Sequence, residues 1–227
     1  MTTLYQLISF KACPWVQRAA IVLREKGVAF DFQHIEADNR PDWFAAISPH
    51  GKVPVLRIDE TTALFESNAI AEYLDETVGQ PLHPTDPVRR AINRAWTDYL
   101  PTFAAALSAV TGAADGEPRA KAVAALGQAF ARLEDALAGN GDGPWFNGAD
   151  YALVDAGYAP FLQRWLIVER LTGKTLIAAY PRLARWAEAL VQRPSTYSFP
   201  PAEFEALYRA ILIKRGGWIA GSLSEPA

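Results

Sequence analysis

Between Gly79 and Pro87 the chain carries three prolines, Pro81, Pro84 and Pro87, and the sequence follows a different pattern on each side of them. Proline removes a backbone donor and fixes φ, so neither a regular helix nor a sheet strand runs through such a stretch. Before the break, short apolar runs alternate with amphipathic ones. After it, the spacing of apolar residues is helical almost throughout. A chain of 227 residues is long enough for two modest domains. The break therefore predicts an α/β unit over residues 1–78, a linker at 79–86 and an all-helical unit over 87–227.

The first part reads as strand 3–8, helix 14–26, strand 28–35, short helix 41–47, strands 53–58 and 63–65, and helix 67–78. This β-α-β-α-β-β-α order predicts a mixed sheet with helices on its faces. Asp59-Glu60-Thr61-Thr62 supplies a turn, so the last two strands are expected to be antiparallel neighbours. Pro54 stands at a strand entrance, where proline is tolerated. The element order favours a cis Val53–Pro54 bond, which would turn the backbone toward the loop before the first helix; an ordinary trans proline is the alternative. In the second part, helices are expected near 87–112, 117–139, 151–172, 178–192 and 203–215, with Gly112, Gly139, Gly173 and Gly216-Gly217 as punctuation.

The chemistry points to Cys13, the chain's only cysteine, which directly precedes Pro14 at the start of the first predicted helix. Proline suits the first helical turn. The unpaired N–H groups and the macrodipole there favour negative charge, so a thiol held at this point is expected to ionise more easily. With no second cysteine, no internal disulfide can close, and Cys13 can react only with an external sulfur or electrophile. The alternative is a cysteine buried as a small hydrophobe.

Half of the residues are hydrophobic, 21% are charged and the formal charge is −3, which gives no reason to expect nucleic acid or an anionic membrane as partner. A single cysteine fits a reducing compartment, and the expected location is cytoplasmic. Neither a signal sequence nor the roughly 18 uninterrupted apolar residues of a membrane helix is visible. His34, His50 and His83 lack a metal-binding spacing.

Cys13-Pro14-Trp15-Val16-Gln17-Arg18, Arg40-Pro41-Asp42-Trp43, Val53-Pro54-Val55-Leu56 and Glu66-Ser67-Asn68-Ala69-Ile70-Ala71-Glu72-Tyr73-Leu74 resemble the glutathione S-transferases, and the cysteine at the first helix resembles their omega-type class. The Cys-Pro-Trp opening is also similar to that of glutathionyl-hydroquinone reductases, which are longer chains. The resemblance implies a thioredoxin-like domain followed by an all-helical one, glutathione as co-substrate, no metal, and a homodimer. It assigns Cys13 to a mixed disulfide with glutathione, Glu66 and Ser67 to the γ-glutamyl end, Val53 beside Pro54 to backbone pairing with the cysteinyl unit, and Arg40, with Lys52 second, to the glycyl carboxylate.

The activity implied is that of a glutathione-dependent thiol transferase or reductase. Mixed disulfides, dehydroascorbate or quinone conjugates would be its substrates. Glutathione conjugation to electrophiles is an alternative, as is a non-catalytic protein of the same fold that holds hydrophobic ligands or a partner. A second-substrate site would lie between the domains, against the helix near 88–112. The last helix, with Phe204, Leu207, Tyr208, Ile211 and Leu212, either closes that site or packs in the core. Tyr5 reads as a packing residue, Ser9 as a loop hydrogen-bonding group, and Trp15 as core or as part of the second site. One departure stands out: Ala152 occupies the helix-cap position three residues before Asp155, where the family has Ser or Thr. Loss of that cap is expected to cost about 1 kcal/mol.

Overall fold

The computed structural model describes residues 5–224. The first part forms β1 (Tyr5–Ser9), α1 (Pro14–Glu25), β2 (Phe30–His34), α2 (Asp42–Ile47), β3 (Val55–Arg57), β4 (Ala63–Phe65) and α3 (Ser67–Thr77). The sheet order is β2-β1-β3-β4. β1 and β2 are parallel with Leu7 opposite Phe32, whereas β3 runs antiparallel to both β1 and β4, with Leu56 between Leu7 and Leu64. The Asp59 carboxylate accepts from the Thr61 and Thr62 N–H groups at 2.8 Å and so closes the β3–β4 turn. This is the mixed sheet that the pattern implied. Two strands are shorter than expected: Val28 still donates to the Leu23 carbonyl of the helix tail, and proline at 54 has no N–H for the ladder. The Val53–Pro54 peptide is cis. Thr3 and Leu4, expected in the first strand, lie outside the described residues.

The second part forms α4 (Pro87–Gly112), α5 (Glu117–Ala138), α6 (Leu153–Thr172), α7 (Pro181–Gln192), α8 (Pro201–Arg215) and α9 (Gly217–Ser224). Proline at the first turn of α4, α7 and α8 explains where each begins. Residues 178 and 179, expected at the start of the fourth of these helices, instead belong to a separate 3-10 turn, Ile177–Ala179. α9 corrects the reading of Gly216-Gly217 as a terminus. Gly217 has φ +81°, and a Cβ there would fall 2.7 Å from the Ala113 carbonyl oxygen. The chain therefore folds back tightly enough for Trp218 to donate its backbone N–H to Ala113 and its indole N–H to Val110.

α1 is buried along Val16–Leu23, Gln17 and Arg18 included, because the sheet and α3 lie on one side of it and α6 on the other. Its end is tied to the inter-domain segment: Lys26 forms a buried 2.7 Å ion pair with Asp75, whose two carboxylate oxygens accept from the Leu82 and His83 N–H groups.

At the start of α6, the fully buried Asp155 carboxylate accepts from the N–H groups of Ala152 (2.7 Å) and Phe146 (2.9 Å) and from the Trp186 indole (2.6 Å). Burial pushes its pKa up to about 6, while these donors pull the other way. This carboxylate is thus one half of a capping arrangement whose other half, a hydroxyl at 152, is missing. Asp155→Asn removes one acceptor oxygen and buries an amide with no acceptor facing it. It is expected to lower stability in urea titration by about 2–3 kcal/mol. Ala152→Ser is expected to raise it by about 0.5–1 kcal/mol; an unchanged melting temperature would show that the Ala152 carbonyl, 3.0 Å from the Asp155 N–H, already meets the need.

Candidate functional site

Cys13 is the residue just before α1, with extended backbone (φ −72°, ψ 121°). Its neighbour Ala12 has φ +60°, and Glu66, just before α3, has φ +66°; these are the non-glycine residues with positive φ among those described. Such conformations cost energy, about 1–3 kcal/mol each, and tend to gather where function fixes the backbone. Both helix starts thus carry backbone strain next to the residues singled out from sequence. Arg164 of α6 holds the first in place by donating to the Ala12 carbonyl at 2.7 Å.

The α1 N-terminus directs the Trp15 and Val16 N–H groups at the Cys13 thiol, and Arg164 adds a positive charge nearby. All three favour the thiolate. Burial nevertheless outweighs them and holds the thiol above its ordinary value of 9.0. This corrects the expectation of an easily ionised cysteine, because a helix start sunk between two packed units loses solvation faster than its dipole compensates. Cys13 borders a cavity of only about 20 Å³, with Ser9, His34, Phe199 and Phe204 around it. Ser9 ends β1 and donates its hydroxyl to the Phe10 carbonyl.

A larger cleft of about 330 Å³ lies along the start of α3. Lys52, Val53, Pro54, Glu66 and Ser67 all line it. The Ser48 hydroxyl pins this edge, accepting from the Lys52 N–H at 2.9 Å and donating to its carbonyl at 2.7 Å. The first N–H groups of α3 have no intrahelical acceptor, so the cleft can take a carboxylate there. Glu66 and Asp98 can face a cation. Neither Cys13 nor Arg40 lines this cleft. The Arg40 guanidinium instead donates to the Ala37 and Gly51 carbonyls and stacks on Phe10, 5.5 Å from the ring centre.

Several lining residues were not identified from sequence. Arg18, 2% exposed, donates to the Asn68 side chain at the cleft wall, and burial lowers its pKa to about 10, so it stays cationic at neutral pH. His50 sits 2.8 Å from the Glu66 carboxylate, and Thr97, Asp98 and Pro101 come from α4. The available signal was a charged residue amid the apolar run of α1. Trp15 lines this same cleft and meets Phe161 edge-on at 4.9 Å.

A second cavity of about 100 Å³ opens between α4, α6 and α8, and its wall includes Ala12 and Pro14, the residues on either side of Cys13. Tyr208 and Ile211 of α8 border it, whereas Phe204 and Leu212 are buried in the core. The last long helix therefore does both of the things that sequence left open.

The family model described as glutathione S-transferase, N-terminal domain, matches residues 12–77, and the one for the C-terminal domain matches residues 91–189. The chain belongs to the glutathione S-transferase family. Glutathione S-transferase U28 of Arabidopsis thaliana is 31% identical, over 91% of this chain and 92% of its own. Glutathione S-transferase omega-1 of Rattus norvegicus is 28% identical, over 83% of this chain and 77% of its own. A rice transferase solved in complex with glutathione superposes with a TM-score of 0.80 at 26% identity, covering 95% of this chain and 99% of that one. The thioredoxin-like unit, the helical unit and the omega-like membership expected from sequence accord with these matches.

In this glutathione transferase the balance at Cys13 can be tested by pH. The folded thiol lies above its ordinary value, so the thiolate, and with it alkylation by iodoacetamide, should keep rising with pH through about 9 in ligand-free protein. A plateau reached already near pH 6, read by intact mass, would mean that the donors and Arg164 outweigh burial.

Proposed function

We propose that this transferase is a cysteine-type thiol transferase, with glutathione held in the 330 Å³ cleft and the disulfide exchanged at Cys13. The observation that carries the reading is a lone thiol at the start of α1 with two backbone N–H groups directed at it and the buried Arg164 guanidinium nearby. The Cys13 thiolate attacks the glutathionyl sulfur of a mixed disulfide, forming an enzyme–glutathione disulfide and releasing the other half as a thiolate. A second glutathione thiolate then attacks that glutathionyl sulfur, giving oxidised glutathione and restoring Cys13. The substrate's other half is released as a reduced thiol, and one free glutathione is consumed, leaving in oxidised glutathione together with the glutathionyl half of the substrate. A raised thiol pKa leaves less thiolate at neutral pH but makes it a stronger nucleophile, so turnover is expected to climb toward alkaline pH.

Glu66 and Ser67 would meet the γ-glutamyl end. Val53, whose N–H and C=O pair with no other backbone group among the described residues, would add the cysteinyl unit as a short strand. Lys52 is the better placed cation for the glycyl carboxylate, since Arg40 is committed to carbonyls. Residues 1–78 would form the glutathione domain, 79–86 the linker and 87–227 the domain that supplies the 100 Å³ cavity as second site. Phe65, Val88 and Ile92 are exposed, the last two one turn apart on α4, and they fit a homodimer contact. A cytoplasmic location completes the proposal. No helix among the described residues is long and apolar enough to cross a membrane.

Conjugation of glutathione to electrophiles is the second reading, and the burial of Cys13 favours it. Incubation with oxidised glutathione followed by intact-mass analysis decides between them. A single glutathione adduct, absent in Cys13→Ser and reversed by glutathione, is the expected result. No adduct in a protein that binds glutathione by calorimetry would leave conjugation, and no binding heat would leave a scaffold.

A further inference from the structure

The wall of the 100 Å³ cavity combines Leu107, Phe161, Trp165 and Ile211 with two arginines, Arg164 and Arg215, and contains no carboxylate. Such a wall is unbalanced in charge. Arg164 is buried, and burial lowers its pKa to about 10, so it is charged at neutral pH. Its N–H groups donate to the carbonyls of Pro160 (2.6 Å) and Ala12 (2.7 Å) and to the Gln17 side chain (2.7 Å), all neutral acceptors. Its guanidinium stacks 4.9 Å from the Phe204 ring centre and 5.7 Å from that of Tyr208. The groups that raise its pKa are Tyr208 and Cys13, neither a carboxylate. These neutral acceptors and rings offset part of the desolvation cost of a cation this deep, and a charge of opposite sign would offset more of it.

Arg215 stands at the rim. It reaches from the end of α8 to the Thr111 hydroxyl of α4 at 3.3 Å, and it has no ion-pair partner among the described residues. The two guanidiniums flank Tyr208, and both bear on its phenol. Two carboxylates on the neighbouring helices are engaged elsewhere: Glu169 accepts from the Trp165 indole and the Ile177 N–H, and Glu205 pairs with Arg170.

We infer that this cavity selects anionic acceptors: compounds with an apolar, planar body that packs on Phe161 and Trp165 and a carboxylate or similar group that takes the open charge of Arg164 and Arg215. The inference rests on the thiol-transfer reading for the reaction and specifies its substrate class. It also bears on the leaving group. In the exchange at Cys13 the departing half leaves as a thiolate, and Arg164, whose charge already bears on Cys13, stands near where that charge develops.

The test uses two mixed disulfides of glutathione, one with 4-mercaptobenzoate and one with 4-mercaptobenzamide, which match in size and differ in charge. Wild type is expected to turn over the benzoate with a kcat/KM about tenfold above that of the benzamide, the size of one buried charge-assisted hydrogen bond. This ratio should fall several-fold in Arg215→Gln and Arg164→Gln and persist in Arg215→Lys. Should Arg164→Gln fail to fold, the exposed Arg215 pair still decides. A wild-type ratio at or below one, or a ratio unmoved by Arg215→Gln, would overturn the inference. If neither disulfide is turned over and Cys13 takes no adduct, the thiol-transfer reading falls instead. The preference for an anion is then read from calorimetric binding of the unreactive 4-(methylthio)benzoate against its amide, where equal affinities overturn it.

Discussion

Helix α1 has almost no solvent face, and the arrangement of the site depends on how its polar residues are satisfied. Gln17 lies in the seam with α6, donating to the Gln163 side chain and to the Thr196 carbonyl and accepting from Arg164. At the other end, Glu25 takes a two-pronged ion pair from Arg193 at 2.6 and 2.7 Å and a hydroxyl from Ser195. A buried polar seam of this kind costs stability if any member is lost, since each remaining partner is stranded away from water. What it provides is register. Arg164 fixes Ala12 in a conformation alanine rarely adopts, and Ala12 fixes Cys13. The helical unit therefore positions the thiol that sequence assigns to the α/β unit.

The same seam explains why Cys13 does not behave as an isolated helix start would. A helix N-terminus contributes on the order of 0.3–1 kcal/mol to a nearby negative charge when exposed. Enclosure among β2, residues 198–199 and Phe204 of α8 removes water that would have contributed more, and the net direction is upward. The opposite balance holds at Glu72. Burial alone would raise that carboxyl, but His83 at 2.9 Å and Arg94 at 2.6 Å hold it down to about 2. Explicit charged partners win where the group is only partly enclosed; two N–H dipoles and a guanidinium already shared among carbonyls do not.

Much of the fold was legible because proline and glycine mark its joints. Pro87 and Gly112 bound α4, β4 occupies residues 63–65 as the pattern implied, and Asp59 closes the turn before it. The failures share a cause. α9 follows two glycines that normally end a helix; only the contact of Trp218 with the end of α4, far away in sequence, makes the chain turn and continue. At the candidate site, Lys52 to Pro54 and Glu66-Ser67 converge on one cleft because they sit at the edges of local elements, β3 and α3. Arg40 could not be placed from sequence, since its partners Ala37 and Gly51 lie in loops whose approach no periodicity encodes.

Arg18 and Arg164 show the limit most clearly. In sequence each is one charged residue in an apolar helix, a pattern ordinarily read as the solvent face. In the folded chain both are buried, one at the 330 Å³ cleft and the other at the 100 Å³ cavity, and burial lowers both to about 10. Neither has a carboxylate close enough for an ion pair; Arg18 faces the Asn68 amide and Arg164 faces carbonyls and a glutamine. Some exposed arginines, by contrast, do form ion pairs, as Arg94 does with Glu72 and Arg182 with Glu134. Arg18 and Arg164 thus keep positive charge on both sides of α1, each at the wall of a cavity. The cost of holding those charges out of water is met differently on the two sides: Glu72 and Asp98 bear on Arg18, whereas Arg164 relies on neutral acceptors and two aromatic rings, so it is Arg164 that an added negative charge would stabilise most.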